Sequence, residues 1–112
     1  MPSLKYLFLA YNHFNRTIPP EYGNLSHLQA LDLSCNSLSG SVPATIGNLK
    51  PLMFFMLANN LLTSPISKEL GNCTSLLWRN LSNNKLSGTI PTELKNIGSD
   101  VGPMTVGTRI KS

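Results

Sequence analysis

The sequence predicts a right-handed α/β-type solenoid, with short parallel strands on a concave face and 3-10 or short helical turns on the convex face. Three observations support this fold class. A 24-residue pattern occurs in four successive copies, each copy alternates apolar with other residues as a short strand does, and each has an Asn at the same position. The 112 residues include 19 Leu and 12 Asn. The repeat explains why these two residue types are abundant together.

The period is clearest at the leucine that opens each copy, which recurs as Leu4, Leu28, Leu52 and Leu76. We therefore divide the chain into four leucine-rich coils, the first to the fourth: 4–27, 28–51, 52–75 and 76–99. Residues 1–3 are expected to be an N-terminal remnant without a cap, and residues 100–112 leave the repeat and are expected to form a flexible tail. A repeat stack needs polar caps over its apolar ends, so the chain is expected to be an excerpt from a longer protein.

Each coil opens with an L-x-x-L-x-L pattern, which predicts a short strand with one buried face. The inward residues on this pattern are Leu7, Leu9, Leu31, Leu33, Phe55, Leu57, Arg79 and Leu81. Arg79 departs from its column, and an unpaired buried guanidinium would cost on the order of several kcal/mol. We expect Arg79 to escape through the open end of the stack, or the fourth coil to be distorted.

The strand of each coil is followed by an Asn, and these four residues are Asn12, Asn36, Asn60 and Asn84. A short amide can satisfy backbone groups where the chain turns inward, so the stacked copies predict a structural ladder. Three coils then carry a Pro that suits a turn or an edge segment: Pro19, Pro43 and Pro91. The closing apolar residues lie three apart, which predicts one helical or 3-10 turn on the convex side.

No chemistry-bearing cluster is found in the sequence. Cys35 and Cys73 fall at different places in the repeat, so a disulfide would have to cross the coil and two free thiols are expected. No zinc-ligand spacing, nucleophile elbow or phosphate-binding loop is present, and His13 and His27 occupy separate turns. We therefore predict no catalytic residue, no metal and no cofactor, and the chain is not expected to be an enzyme.

The charge and hydropathy patterns exclude two kinds of partner. The net charge of +4 is carried by Lys and Arg residues of which no two are adjacent, so no basic stripe for nucleic acid is present. The longest apolar run, residues 52–58, is far shorter than the roughly 20 residues that cross a bilayer. Residues 1–4 lack the pattern of a secretion signal. We expect no direct membrane insertion by this segment.

The full pattern, L-x-x-L-x-L-x-x-N-x-L-x-G-x-I-P-x-x-L-G-N-L, resembles the 24-residue plant-type leucine-rich repeat. The second and fourth coils match it at Asn36, Leu38, Gly40, Val42 and Pro43, and at Asn84, Leu86, Gly88, Ile90 and Pro91. Such repeats are found in extracellular parts of plant receptor-like kinases and receptor-like proteins, and in polygalacturonase-inhibiting proteins. Segment 71–78 also resembles a repeat near the end of ectodomains of the brassinosteroid-receptor group.

This resemblance implies a recognition module that binds a protein, peptide or small hormone-like ligand, or a co-receptor ectodomain. The parent protein would lie at the plasma membrane on the extracellular side, or in the cell wall, and any Ser/Thr kinase domain would lie outside this chain. Two alternatives remain open: a secreted inhibitor of a cell-wall-degrading enzyme, and a truncated gene product without independent function.

The outward side chains of the predicted strands are more apolar than a solvated surface requires. Exposed apolar patches mark interaction sites, and aromatic residues are preferred anchors in them. We expect the ligand to bind a concave face formed by Tyr6, Phe8, Tyr11, Asp32, Met53, Phe54, Met56 and Trp78. The alternative is an inert face on which these residues serve only as strand formers.

Four N-x-S/T sequons predict N-glycosylation at Asn15, Asn24, Asn72 and Asn80. The side chain of Asn80 is expected to point from the concave face beside Trp78. A glycan there would cover part of that face. Either Asn80 is therefore unmodified, or the ligand does not bind at the fourth coil.

Overall fold

The computed structural model of the protein describes residues 3–88, 91, 94, 98 and 99. The tail predicted for residues 100–112 lies outside this part of the chain. The strands are β1 (Tyr6–Phe8), β2 (Ala30–Asp32), β3 (Ser39–Gly40), β4 (Phe54–Met56), β5 (Leu61–Leu62), β6 (Trp78–Asn80) and β7 (Gly98–Ser99). Between them lie three 3-10 helices: η1 (Pro20–Asn24), η2 (Ala44–Asn48) and η3 (Lys68–Asn72). Short parallel strands and 3-10 turns confirm the predicted fold class.

The main sheet is parallel and follows the order β1-β2-β4-β6-β7. Leu7 pairs with Leu31, Leu31 with Phe55, and Phe55 with Arg79, so neighbouring strands are offset by one full repeat. The pairing of β6 with β7 differs, because Arg79 pairs with Ser99, which follows it by less than a full repeat. The sequence pattern predicts no strand at Gly98–Ser99, since these two residues carry no apolar alternation.

A second, smaller sheet runs between the main sheet and the 3-10 helices. It pairs β3 with β5, and parallel bridges extend the same arrangement from Thr17 to Ser39 and from Pro65 to Ser87. Paired residues here are separated by slightly less than one repeat, whereas those of β1, β2, β4 and β6 are separated by a full repeat. Because Ser-Gly and Leu-Leu pairs have no strand signature of their own, this sheet was not evident from the sequence.

The interior is filled by the apolar columns of the repeat. In the second and third coils the strand residues Leu31, Leu33, Phe55 and Leu57 are buried, as the alternation predicts. The corresponding leucines of the first coil are only partly buried, since no described coil packs against their outer side. Burial of these columns stabilises each coil chiefly through its neighbours rather than on its own.

On the convex side the 3-10 helices stack backbone to backbone. A Cβ atom added to Gly23 would collide with the carbonyl oxygen of Thr45, and one added to Gly47 would collide with that of Glu69. A larger residue at Gly23 would push η1 and η2 apart, and one at Gly47 would push η2 and η3 apart. The Gly of the G-N-L segment is therefore required by close packing between coils.

The side chain of each buried ladder Asn connects its own coil to the one before it. Asn60 Nδ2 donates to the carbonyl oxygens of Leu33 (2.9 Å) and Leu57 (3.1 Å), and Asn60 Oδ1 accepts from the Leu38 N–H (3.0 Å). Asn84 repeats this arrangement one coil later, and its Nδ2 donates to the same Leu57 oxygen at 2.9 Å. The Leu57 carbonyl therefore links two successive amides.

The expectation for Arg79 was wrong. Its side chain is only 6% exposed, and its Nε has no hydrogen-bond partner in the described structure. Burial lowers the pKa of its guanidinium. The strand around it keeps the regular register with Phe55, which directs the side chain inward, and β7 pairs with β6 at the end through which Arg79 was expected to escape.

The turn after the ladder requires a left-handed backbone in three coils. Gly40 and Gly88 have φ +76°, and Ser64 adopts φ +73° at the same position. A side chain makes this conformation unfavourable by about 1–2 kcal/mol, whereas glycine adopts it freely. Ser64 is exposed, so no buried packing compensates for its conformation.

Replacing Ser64 with glycine is expected to stabilise the protein. We predict that Ser64→Gly raises the free energy of unfolding by roughly 0.5–1 kcal/mol. Glycine relieves the strain of the left-handed backbone, and this gain exceeds the conformational entropy that glycine loses on folding. Equilibrium denaturant unfolding measures this difference. Ser41→Gly is the matched control, because Ser41 is also exposed but does not have a positive φ, and it should be neutral or slightly destabilising. Equal destabilisation by both substitutions would contradict the prediction.

Candidate concave binding face

The main sheet brings outward side chains of successive coils into two rows. The register pairs Tyr6, Ala30, Phe54 and Trp78 in one row, and Phe8, Asp32, Met56 and Asn80 in the next. Neighbouring strands lie about 4.8 Å apart, so side chains in one row can touch. Six of the eight residues predicted to form the binding face therefore lie in these two rows: Tyr6, Phe8, Asp32, Phe54, Met56 and Trp78.

Aromatic side chains are the most exposed part of this face. Phe8 is 66% exposed, Tyr11 81% and Phe54 38%, whereas Ala30 is buried between its taller neighbours. The rings of Tyr6 and Phe8 stack with centroids 6.1 Å apart and planes inclined by 26°. The remaining predicted members are half-buried: Asp32, Met53, Met56 and Trp78. The apolar surface is thus concentrated on the first and third coils.

One exposed leucine enlarges the apolar surface of the main sheet beyond the predicted set, and a second lies on the smaller sheet. Leu77, directly before β6, is 60% exposed, and Leu61 in β5 is 45% exposed. Leu77 follows the same column as Met53, because both precede their strands by one residue. The signal for Leu77 was present in the sequence as an apolar residue at an outward position.

A second polar ladder runs along the edge of the concave face. Tyr11, Cys35, Asn59 and Asn83 all have a left-handed backbone, with φ between 56° and 61°. Asn83 Nδ2 donates to Asn59 Oδ1 at 2.8 Å, and Asn59 Nδ2 donates to Cys35 Sγ at 3.6 Å. The sequence signal for this ladder was the Asn-Asn pairs of the third and fourth coils, since Asn tolerates this conformation better than most residues.

Tyr11 ends this second ladder at the first coil. A hydrogen bond between the side chains of Tyr11 and Cys35 is the main reason that the pKa of Tyr11 is raised, and the charge of Asp32 contributes in the same direction. The phenol of Tyr11 can donate a hydrogen bond on the concave face.

The two cysteines are free and have different surroundings. Cys73 is buried, its Sγ donates to the Ile46 carbonyl at 3.1 Å, and burial raises the pKa of its thiol to about 11. A thiol with so high a pKa is not nucleophilic at neutral pH. Cys35 is half-buried and takes part in the polar ladder instead.

Asp32 and Asn80 occupy equivalent positions and make equivalent turns. The Ser34 N–H donates to Asp32 Oδ1 at 3.1 Å, and the Ser82 N–H donates to Asn80 Oδ1 at the same distance. Ser82 Oγ also donates to Asn80 Oδ1, at 2.7 Å. The backbone after the strand therefore holds each of these side chains in place on the face.

A cleft of about 300 Å³ lies at the outer end of the first coil rather than on the concave face. Leu9, Phe14, Tyr22 and Leu38 contribute to its walls. It forms where no described coil covers the apolar side of the first coil. We therefore interpret it as the end surface of the stack.

The three sequons of the convex side and turns differ from the one on the sheet. Asn15, Asn24 and Asn72 are exposed, whereas Asn80 is half-buried in β6.

Over the described part of the chain, no helix is long and apolar enough to cross a membrane. The same residues contain no group of three or more His, Cys, Asp or Glu side chains that could hold a metal ion.

A protein-family model matches the repeat pattern of this chain. The model described as Leucine Rich Repeat matches residues 3–25, 27–49 and 80–97, which is more than half of the chain. The chain belongs to the leucine-rich repeat family. The third coil lies outside the matched ranges. Its strand β4 nevertheless pairs in regular register with β2 of the second coil and β6 of the fourth.

Solved structures similar to this chain include ectodomains of plant receptors. A chain of the BIR3–SERK2 complex from Arabidopsis thaliana is 34% identical over 98% of this chain and 56% of its own length, with a TM-score of 0.82. The leucine-rich-repeat ectodomain of the Arabidopsis receptor kinase HAESA, in complex with an extended IDA peptide hormone, is 37% identical over 86% of this chain and 17% of its own, with a TM-score of 0.80.

A third structure, PEPR1–AtPEP1, is 43% identical over 81% of this chain and 13% of its own, with a TM-score of 0.78. The chain thus spans less than two thirds of each of these three relatives. No curated protein sequence matches it significantly.

Proposed function

We propose that this chain is part of the extracellular recognition domain of a plant leucine-rich-repeat receptor, and that its concave face binds a peptide ligand or a co-receptor ectodomain. One observation carries the proposal: the rows of the main sheet hold Tyr6, Phe8, Phe54 and Trp78 together on a single apolar surface. Exposed aromatic patches of this kind anchor protein partners.

The solved relatives support both kinds of partner. The HAESA structure contains a peptide hormone ligand, and the BIR3–SERK2 structure is a complex of two proteins. On this proposal the parent protein lies at the plasma membrane with these repeats outside the cell. The chain acts in binding rather than catalysis, and any kinase domain lies beyond it. We also retain the division into four coils over residues 4–99 as part of the proposal.

Truncating the exposed ring of Phe54 tests the role of the concave face. In the parent ectodomain, Phe54→Ala is expected to weaken ligand binding by about tenfold to 100-fold, because the side chain is an aromatic anchor at the centre of the patch. Isothermal titration calorimetry measures the affinity. Lys68→Ala on the convex helix η3 is the control and should leave the affinity unchanged. Unchanged affinity in Phe54→Ala would instead favour an inert face.

Glycan mapping tests whether the fourth coil is available to a partner. We expect glycans at Asn15, Asn24 and Asn72, which are exposed, and none at Asn80. Asn80 is half-buried and hydrogen-bonded to Ser82, and a glycan there would stand on the binding face. Mass spectrometry of glycopeptides from the secreted protein gives the occupancy of each site. Full occupancy at Asn80 would remove the fourth coil from the proposed surface.

A further inference from the structure

We infer that the first three coils form a subsite for an arginine side chain of a peptide ligand, with the carboxylate of Asp32 receiving the guanidinium group. This inference rests on the proposed function, because it specifies what the concave face recognises. It follows from the position of Asp32, from the aromatic rings around it and from the distribution of carboxylates over the molecule.

Asp32 lies in the second row of the face, directly beside an aromatic side chain of the first coil. Its strand neighbours in the same row are Phe8 on one side and Met56 on the other. Phe8 stacks on Tyr6, and Tyr11 is close enough for the charge of Asp32 to raise the pKa of its phenol. The carboxylate therefore has Phe8 as its direct neighbour, with Tyr6 stacked on that ring.

Asp32 is also the single carboxylate that the described residues place on the concave face. The other two described acidic residues, Glu21 and Glu69, lie in the convex helices η1 and η3. Asp32 Oδ1 accepts a hydrogen bond from the Ser34 N–H, which holds the carboxylate in place. An apolar face with one fixed negative charge is complementary to a ligand group that is apolar along its length and positive at its end.

Arginine fits these requirements better than lysine. Its guanidinium is planar, so it can stack on an aromatic ring while it donates two parallel hydrogen bonds to a carboxylate. Its aliphatic stem would lie along the first row, where Tyr6 and Phe54 flank Ala30 and are separated by two strand spacings, about 10 Å. The ammonium group of lysine can pair with Asp32 but has no plane to stack on Phe8 or Tyr6.

The residue equivalent to Asp32 in the fourth coil shows which substitution would remove the negative charge of Asp32 and keep the hydrogen-bonded turn that follows it. Asn80 is equivalent to Asp32 in the register and accepts the same hydrogen bond at the same distance, from the Ser82 N–H. Asp32→Asn is therefore expected to fold normally. Glu21→Gln removes an exposed carboxylate from the convex side and serves as the matched control.

The subsite can be tested with three short probes, N-acetyl-Gly-Arg-Gly-amide and the same peptide with citrulline or lysine in place of arginine. Each is titrated into the ¹⁵N-labelled full chain and followed by two-dimensional NMR. We expect the arginine peptide to shift the amide signals of Phe8, Asp32, Ser34 and Met56, with a Kd about tenfold or more below that of the neutral citrulline peptide. The lysine peptide should bind more weakly than the arginine peptide.

The variants decide which groups carry this preference. Asp32→Asn should make the arginine and citrulline peptides bind equally, Phe8→Ala should weaken the arginine peptide, and Glu21→Gln should change neither. Equal binding of the arginine and citrulline peptides to the unaltered chain would overturn the inference, as would a preference that survives Asp32→Asn. Lysine binding as tightly as arginine would overturn the assignment to a guanidinium.

Failure of the subsite is distinguishable from failure of the proposed function. If no arginine preference is found but Phe54→Ala weakens binding of the parent's ligand, the concave face remains the recognition surface and only the subsite is rejected.

Discussion

The structure depends on a continuous chain of hydrogen bonds that runs through the interior from coil to coil. The Leu33 carbonyl accepts from both Asn36 and Asn60, and the Leu57 carbonyl accepts from both Asn60 and Asn84. Backbone groups left unsatisfied in such a buried place cost about 1–3 kcal/mol each. Because each amide satisfies groups of two coils at once, a coil can neither slide nor rotate against its neighbour without breaking these bonds.

This fixed register is what creates the concave face. It aligns Tyr6, Ala30 and Phe54 across three strands, although each of these residues is a full repeat away from the next along the chain. On the opposite side Gly23 and Gly47 let the 3-10 helices approach closely. The interior amides and the convex glycines lie away from the concave face, but they determine which outward side chains become neighbours and hence that Asp32 lies beside Phe8.

The sequence predicted those parts of the molecule that repeat. Buried columns such as Leu31 and Phe55 follow from local alternation, and the outward rows follow once the period is known. The burial of Arg79 was not predicted, because an unpaired guanidinium is costly to bury. Strand β7, which pairs with β6, was missed because it has a shorter offset and no apolar pattern. The polar ladder of Cys35, Asn59 and Asn83 was missed because it depends on a left-handed backbone, which the Asn-Asn pairs indicate at Asn59 and Asn83 but which Cys35 does not.

Stability measurements on two members of the same Asn column test the central claim, that the interior amides couple the coils. Asn60 bonds to both its own and the preceding coil, whereas Asn12 Nδ2 donates only to Leu9 and Ala10 of its own coil. By equilibrium unfolding, Asn60→Ala should lower the free energy of unfolding by about 3 kcal/mol, and Asn12→Ala by less than about 1 kcal/mol. Equal losses for the two substitutions would contradict the account.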